Sequence, residues 1–167
     1  TISGNDQLRW SALAFLIHQI GNGLAVGGLA STYVYLDFGY NGGLYSIFNT
    51  LGMMATAVLM VAYPAISRRI HRKKLMKRML WISAAGYALT ILSGFLIGND
   101  TVRFWAITLF NMFANFGQYC FYLIMMISII NTVEYNEYLH GVRDEAIITS
   151  LRPFLTKLGS ALIVAVT

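Results

Sequence analysis

Hydrophobic residues fall into long runs along this chain, and short polar stretches separate the runs. Five apolar stretches cover about residues 8–36, 44–66, 79–97, 104–130 and 146–166. None of them shows the apolar–polar alternation of a membrane β-strand, and a lone spanning strand would leave its backbone groups unpaired in lipid. A helix of about 20 apolar residues crosses the hydrocarbon core of a bilayer. The pattern therefore predicts an all-α integral membrane protein with five transmembrane helices.

The composition supports this class. Charged residues make up 11% of the chain and hydrophobic residues 57%, with a mean hydropathy of +0.60. Soluble domains carry about 25% charged residues, so a water-soluble enzyme, a disordered chain and a nucleic-acid-binding protein are excluded. The single cysteine, Cys120, permits neither a disulfide nor a cysteine-based metal site, and we expect no cofactor and no metal. Because the chain starts without methionine and stops inside an apolar run, we interpret it as part of a longer protein.

Positive charge is concentrated in one connection between apolar runs. Seven of the 12 Lys and Arg residues lie between Arg68 and Arg78. Lys and Arg mark the cytoplasmic side of short membrane loops, so we expect residues 67–78 and 131–145 to be cytoplasmic loops. The connections at 39–43 and 98–103 then face outward. The predicted location is the cell membrane (inner or plasma membrane), which the chain crosses several times.

Polar residues on two of the predicted spans are candidates for substrate binding. Asn111, Asn115, Gln118 and Tyr122 follow one another at spacings of 4, 3 and 4, which places them on one helix face. Carboxamides both donate and accept hydrogen bonds, so this stripe could line a cavity for a sugar; the alternative is hydrogen bonding between packed helices. His18 and Asn22 lie four positions apart on the first span and form a second, shorter polar stripe. His18 could also relay a proton or serve only packing.

Lys157 is the most unusual residue of the predicted spans. It lies about 16 Å into the fifth span, close to the middle of a hydrocarbon layer about 30 Å thick. A lysine there costs roughly 2.5–3.5 kcal/mol unless it is paired. We therefore expect Lys157 to face the bundle interior in a coupling or substrate site. The alternative is a structural ion pair, whose acid would have to come from outside the five spans.

The acidic segment 131–145 is a candidate cytoplasmic gate. Glu134, Arg143 and Glu145 could close it through ion pairs, although exposed ion pairs contribute little and a solvated loop is the alternative. The spans hold no paired carboxylates, no nucleophile beside a base and no group of metal ligands, which are the features that enzymatic chemistry requires. An enzyme is not expected.

The residues from 131 onward resemble a known family. The segments 131–138, 141–145 and 150–161 read NTVEYNEY, GVRDE and SLRPFLTKLGSA. They resemble the glycoside–pentoside–hexuronide:cation symporters of the major facilitator superfamily, which include melibiose and lactose permeases. The resemblance implies a 12-helix fold in which this chain supplies helices VII–XI, with the N-terminal half of the same transporter as its partner. It also implies a sugar or glycoside substrate, Na⁺ or H⁺ as the co-transported cation, and alternating access.

The resemblance also implies roles for individual residues. Lys157 matches a lysine of helix XI that is implicated in cation and sugar coupling, and Tyr122 stands where melibiose carriers have a sugar-facing tryptophan. Glu134 and Arg143 match charged residues of the inner gate, and Glu145 matches a carboxylate of lactose-type members. The sequence departs from these relatives at three positions, where aspartate, lysine and histidine are replaced by Asn131, Leu139 and Val142. A carrier of another substrate, such as a lysophospholipid, and a non-transporting sensor remain alternatives.

Overall fold

The computed structural model describes residues 5–25, 31–141 and 145–166. These residues form six helices and no strand: α1 (Asp6–Asn22), α2 (Ser31–Asp37), α3 (Gly42–Arg69), α4 (Arg72–Leu96), α5 (Asp100–His140) and α6 (Glu145–Val166). The all-α prediction is confirmed. Three of the described helices, α3, α4 and α5, are long and apolar enough to cross a membrane. The number of five spans and their assignment to helices VII–XI are not confirmed.

The first predicted span contains two described helices, α1 and α2, and residues 26–30 between them lie outside the described part of the chain. The Asn5 side chain accepts a hydrogen bond from the Leu8 amide at 2.9 Å and so caps the start of α1. α1 ends at Asn22, and α2 begins at Ser31. The single span expected over residues 8–36 stays a prediction.

The predicted cytoplasmic loop at 67–78 is mostly helical, and its location on the cytoplasmic side stays a prediction. α3 continues to Arg69 and α4 starts at Arg72, so only Ile70 and His71 connect them. Arg, Lys, Leu and Met are all good helix formers. The charges therefore do not end the helices; they extend them beyond the apolar part.

The second predicted loop, 131–145, is also largely helical. α5 runs through the polar segment to His140 and ends before Gly141. Gly141 has a φ of 66°, a left-handed conformation that glycine adopts without a steric penalty. Its amide donates to the Glu137 carbonyl at 2.9 Å, which closes the last turn of the helix. Its expected location on the cytoplasmic side stays a prediction.

The contacts divide the chain into two compact units. The first unit draws its described residues from 1–28 and 122–167, and the second from 29–121. In the first unit α1 packs against α6, where Gly159 lies against Gln19 and Gly23 lies against Ile163. These glycines admit the neighbouring side chains because they have no Cβ.

The second unit depends on close contact between α4 and α5. A Cβ at Gly86 would lie 2.6 Å from the Ala114 amide nitrogen, and a Cβ at Gly117 would lie 2.6 Å from the Met79 carbonyl oxygen. Small residues are typical of helix contacts in membranes, because there the attraction comes from close van der Waals packing. Because Gly86 and Gly117 have no side chain, the backbones of α4 and α5 can contact each other directly at these two positions.

A charged cluster lies at the end of α2 and the beginning of α5 in the second unit. The Arg103 guanidinium lies 3.3 Å from the Asp37 carboxylate and 2.7 Å from the Asp100 carboxylate. The Arg103 side chain is 18% exposed, and its guanidinium also lies 5.3 Å from the centre of the Phe38 ring. The cluster joins α2 to α5 beside an apolar core formed by Val34, Phe48, Phe104 and Ile107.

Candidate functional site

The two asparagines of the predicted stripe are buried in the second unit. Asn111 and Asn115 are 2% and 5% exposed. Both side chains face Gly52 of α3. A Cβ added at Gly52 would lie 2.9 Å from the side-chain nitrogen (Nδ2) of Asn115 and 3.4 Å from that of Asn111. Among the described residues, neither side-chain carbonyl oxygen has a hydrogen-bond partner. An unpaired buried acceptor costs about 1–3 kcal/mol, so these two oxygens are suited to accept from a water molecule or a ligand hydroxyl.

Gln118, one turn further along α5, is bound to α4. The Tyr87 hydroxyl donates a hydrogen bond to the Gln118 side-chain oxygen, and Gln118 is 7% exposed. This contact is the interhelical hydrogen bond that the sequence offered as the alternative explanation of the stripe. The assignment of Gln118 to substrate binding stays a prediction.

Tyr122 and His18 lie together in the first unit. The ring centres of His18 and Tyr122 are 5.9 Å apart. Phe15, which lies on α1 like His18, has its ring centre 5.8 Å from that of Tyr122. The Arg152 guanidinium of α6 donates to the Tyr122 hydroxyl at 3.2 Å. Three helices thus contribute to one aromatic and cationic group. Asn22, the last residue of α1, is partly buried.

Lys157 lies on α6, on the side away from α1. Leu155 is buried and Gly159 contacts α1, and a residue two positions from either one points roughly 160° away on a helix. Lys157 is exposed there, and within the described part of the chain no carboxylate lies at ion-pair distance from it. The expectation that Lys157 faces a bundle interior therefore requires a further element to pack on this side of α6.

The predicted gate residues are placed only in part. Glu134 is exposed on α5, and Glu145 is the exposed first residue of α6. Arg143 lies outside the described residues. The ion pairs expected of Arg143 therefore stay predictions.

A comparison with known protein families decides the assignment. The family described as "MFS/sugar transport protein" matches residues 1–167. The chain belongs to this family. The assignment expected from the segments at 131–161 is confirmed, and with the apolar helices it establishes a multi-pass membrane protein.

Curated relatives of this MFS/sugar transport chain are carriers named for sugars. The raffinose carrier protein of Pediococcus pentosaceus is 29% identical over 164 residues, which cover 96% of this chain and 24% of the carrier. The lactose permease of Lactobacillus helveticus is 26% identical and that of Leuconostoc lactis 27%, each covering 94% of this chain and 23% of the permease. The chain thus spans about a quarter of the length of these relatives. No solved structure matches it.

Sequence reasoning missed three side chains around the candidate residues. Arg152, Tyr87 and Phe15 were not singled out as candidate site residues. Tyr87 and Gln118 are 31 positions apart, and Arg152 and Tyr122 are 30 apart. No helical periodicity connects residues on different helices, so only the packing reveals these pairs.

Proposed function

We propose that the protein to which this chain belongs is a secondary active transporter that carries a sugar or glycoside together with Na⁺ or H⁺. The observation that carries the proposal is the family match over the whole chain, with relatives named for raffinose and lactose. Transport proceeds by alternating access, with the substrate bound near the middle of the membrane between two halves. This chain supplies part of the C-terminal half, and the N-terminal half is its partner.

The stripe of α5 contributes hydrogen bonds to the sugar in this proposal. The buried, unpaired carbonyl oxygens of Asn111 and Asn115 support it, because a sugar hydroxyl can donate to each of them. Gln118, whose side-chain oxygen accepts from Tyr87, follows Asn115 on the same helix face. Both asparagines are covered by neighbouring residues, so the sugar reaches them in a conformation that separates α3 from this part of α5.

The group around Tyr122 contributes an aromatic surface. Arg152 holds the Tyr122 hydroxyl, and His18 lies beside the ring. The hydrogen bond from Arg152 restricts rotation of the phenol, which prepares the ring to stack on the apolar face of a pyranose. Asn22 extends the same side of α1 by one turn. If the coupled cation is a proton, the imidazole of His18 is the proposed relay.

Lys157 is the proposed coupling residue. An ammonium group in the middle of an apolar helix of 22 residues is costly in lipid, and the described residues leave it without a carboxylate. In one state, a carboxylate of the N-terminal half pairs with Lys157. In the other state, the same carboxylate binds the co-transported cation instead. Such a difference in pairing is what lets a cation shift the balance between two states. Glu134, Arg143 and Glu145 close the cytoplasmic side.

The proposal is tested by uptake into proteoliposomes that contain the full-length protein. Labelled galactosides, including raffinose and lactose, are compared with xylosides and glucuronides, and Na⁺ and H⁺ gradients are imposed separately. Accumulation of one sugar class under one gradient supports both the substrate class and the coupling. Sugar uptake that no gradient changes refutes cation coupling. A folded preparation that moves no sugar refutes the sugar assignment and favours a lipid-like substrate or a sensor.

A further inference from the structure

The basic residues at the beginning of α4 line a surface cavity. Its volume is about 390 Å³, and its lining consists of Lys74, Lys77, Arg78, Trp81 and Ile82. These residues follow the spacing i, i+3, i+4, i+7, i+8, which belongs to one side of a helix. The three cations occupy the end of the cavity at the helix terminus, and the indole and isoleucine occupy the end toward the apolar span. The cavity is therefore cationic at one end and apolar at the other.

In the described part of the chain, no carboxylate lies at ion-pair distance from the cations of this cavity, Lys74, Lys77 and Arg78. No Asp or Glu occurs between Phe38 and Asn99. The first turn of α4 also carries no acidic residue, so the partial positive charge of the helix start adds to that of the side chains. An anion from outside the chain would relieve this concentration of charge.

The surroundings of the cavity indicate which anion fits. Trp81 is 67% exposed, and the same side of α4 continues with Leu89, Leu92 and Leu96, which are 42%, 50% and 78% exposed. α4 is a candidate membrane span, and exposed tryptophans are typical of the boundary between lipid and water. With Trp81 at that boundary, we expect the cations at headgroup level, followed along α4 by an apolar strip long enough for an acyl chain.

We propose that this cavity is a binding site for an anionic phospholipid. Its phosphate lies against Lys74, Lys77 and Arg78, the indole of Trp81 packs at the glycerol level, and an acyl chain follows the leucines of α4. A soluble phosphate would satisfy the cations but would leave the tryptophan and the apolar strip unused. The inference does not depend on the transported substrate, so its failure would leave the proposed function unaffected.

The test uses Trp81 as the reporter. The full-length protein, with every other tryptophan replaced by phenylalanine, is placed in bilayers that contain brominated phosphatidylglycerol or the same fraction of brominated phosphatidylcholine. Bromine quenches tryptophan fluorescence on contact, so stronger quenching by phosphatidylglycerol measures preference for the anionic lipid. Each cation near the membrane surface adds about fivefold to the binding of an anionic lipid. The variant K74Q/K77Q/R78Q is therefore expected to lose the preference by roughly one to two orders of magnitude.

The matched control removes the same charge outside the cavity. The variant R68Q/R69Q/K73Q also loses three cations of the basic segment and should retain most of the preference. Equal quenching by the two lipids in the parent, or the same loss in both variants, would overturn the proposal. Displacement of the lipid effect by millimolar glycerol phosphate would also overturn it, since the site would then recognise a soluble anion. Native mass spectrometry of protein with its natural tryptophans, counting retained phosphatidylglycerol, repeats the comparison without the phenylalanine substitutions.

Discussion

The contact between α4 and α5 at Gly117 allows a quantitative prediction for Gly117→Ala. The added methyl carbon would lie 2.6 Å from the Met79 carbonyl oxygen and 2.8 Å from the Ser83 amide nitrogen. Met79 and Ser83 are four positions apart in α4, so these atoms are the two ends of one helical hydrogen bond. Neither can rotate away as a side chain would. To restore an ordinary contact of about 3.4 Å, the helices must separate locally by roughly 0.8 Å.

We expect this separation to destabilise the protein. Overpacking of a filled interior costs about 1–3 kcal/mol, whereas replacing glycine by alanine within an open helix stabilises by about 0.5–1 kcal/mol. The net loss is therefore about 1–2 kcal/mol, together with a weaker hydrogen bond between Tyr87 and the neighbouring Gln118. The assay is thermal unfolding of the full-length protein in detergent, where the melting temperature should fall by a few degrees.

Two further variants make the prediction specific. Gly21 of α1 has nothing within 4 Å of an added Cβ, so Gly21→Ala should leave the melting temperature unchanged or raise it. Gly86→Ala presses on the Ala114 backbone at the same interface, and combining it with Gly117→Ala should cost less than the sum, because one separation relieves both contacts. If Gly117→Ala is as stable as the parent, α4 and α5 are not in backbone contact and the reasoning is refuted.

Three other variants test the proposed roles in transport and packing. Lys157→Ala should abolish gradient-driven sugar accumulation while leaving membrane insertion intact, and normal accumulation would remove Lys157 from the coupling mechanism. Gln118→Leu should weaken sugar affinity by roughly tenfold, since a lost hydrogen bond to a buried group costs about 1–3 kcal/mol; the exposed Leu92→Ile is its control, and equal effects would make Gln118 a packing residue. Arg103→Gln should lower the free energy of unfolding by about 1–3 kcal/mol, because the Asp37 carboxylate then loses its charged partner in a half-buried position. Unfolding in detergent measures the last effect, and an unchanged midpoint would show that the cluster is only a surface ion pair.

Much of this protein follows from its sequence. Long apolar runs with few charges require helices in a membrane, because lipid offers no partner for an unpaired backbone group. The segments at 131–161 identified the family. The spacing of Asn111, Asn115 and Gln118 placed them on one helix face, and the continuous helix α5 confirms that they share it. These inferences depend on neighbours along one helix or on composition, which the sequence displays directly.

The helix ends could not be predicted in this way. Residues 67–78 and 131–140 are polar, yet most of them continue helices that the apolar pattern would end. Polar residues indicate where a helix leaves the lipid. The residue at which the helix ends depends instead on helix propensity and on capping residues such as Gly141.

The partners of the candidate residues were decided by tertiary structure alone. Tyr87 binds Gln118 and Arg152 binds Tyr122 across about 30 positions of sequence, and Gly52 faces the asparagine pair from another helix. Which faces of two helices meet depends on how small and large side chains fit together around their common axis. That fit is a property of all the packed residues at once, so the sequence determined which side chains were polar and the packing decided what each of them contacts.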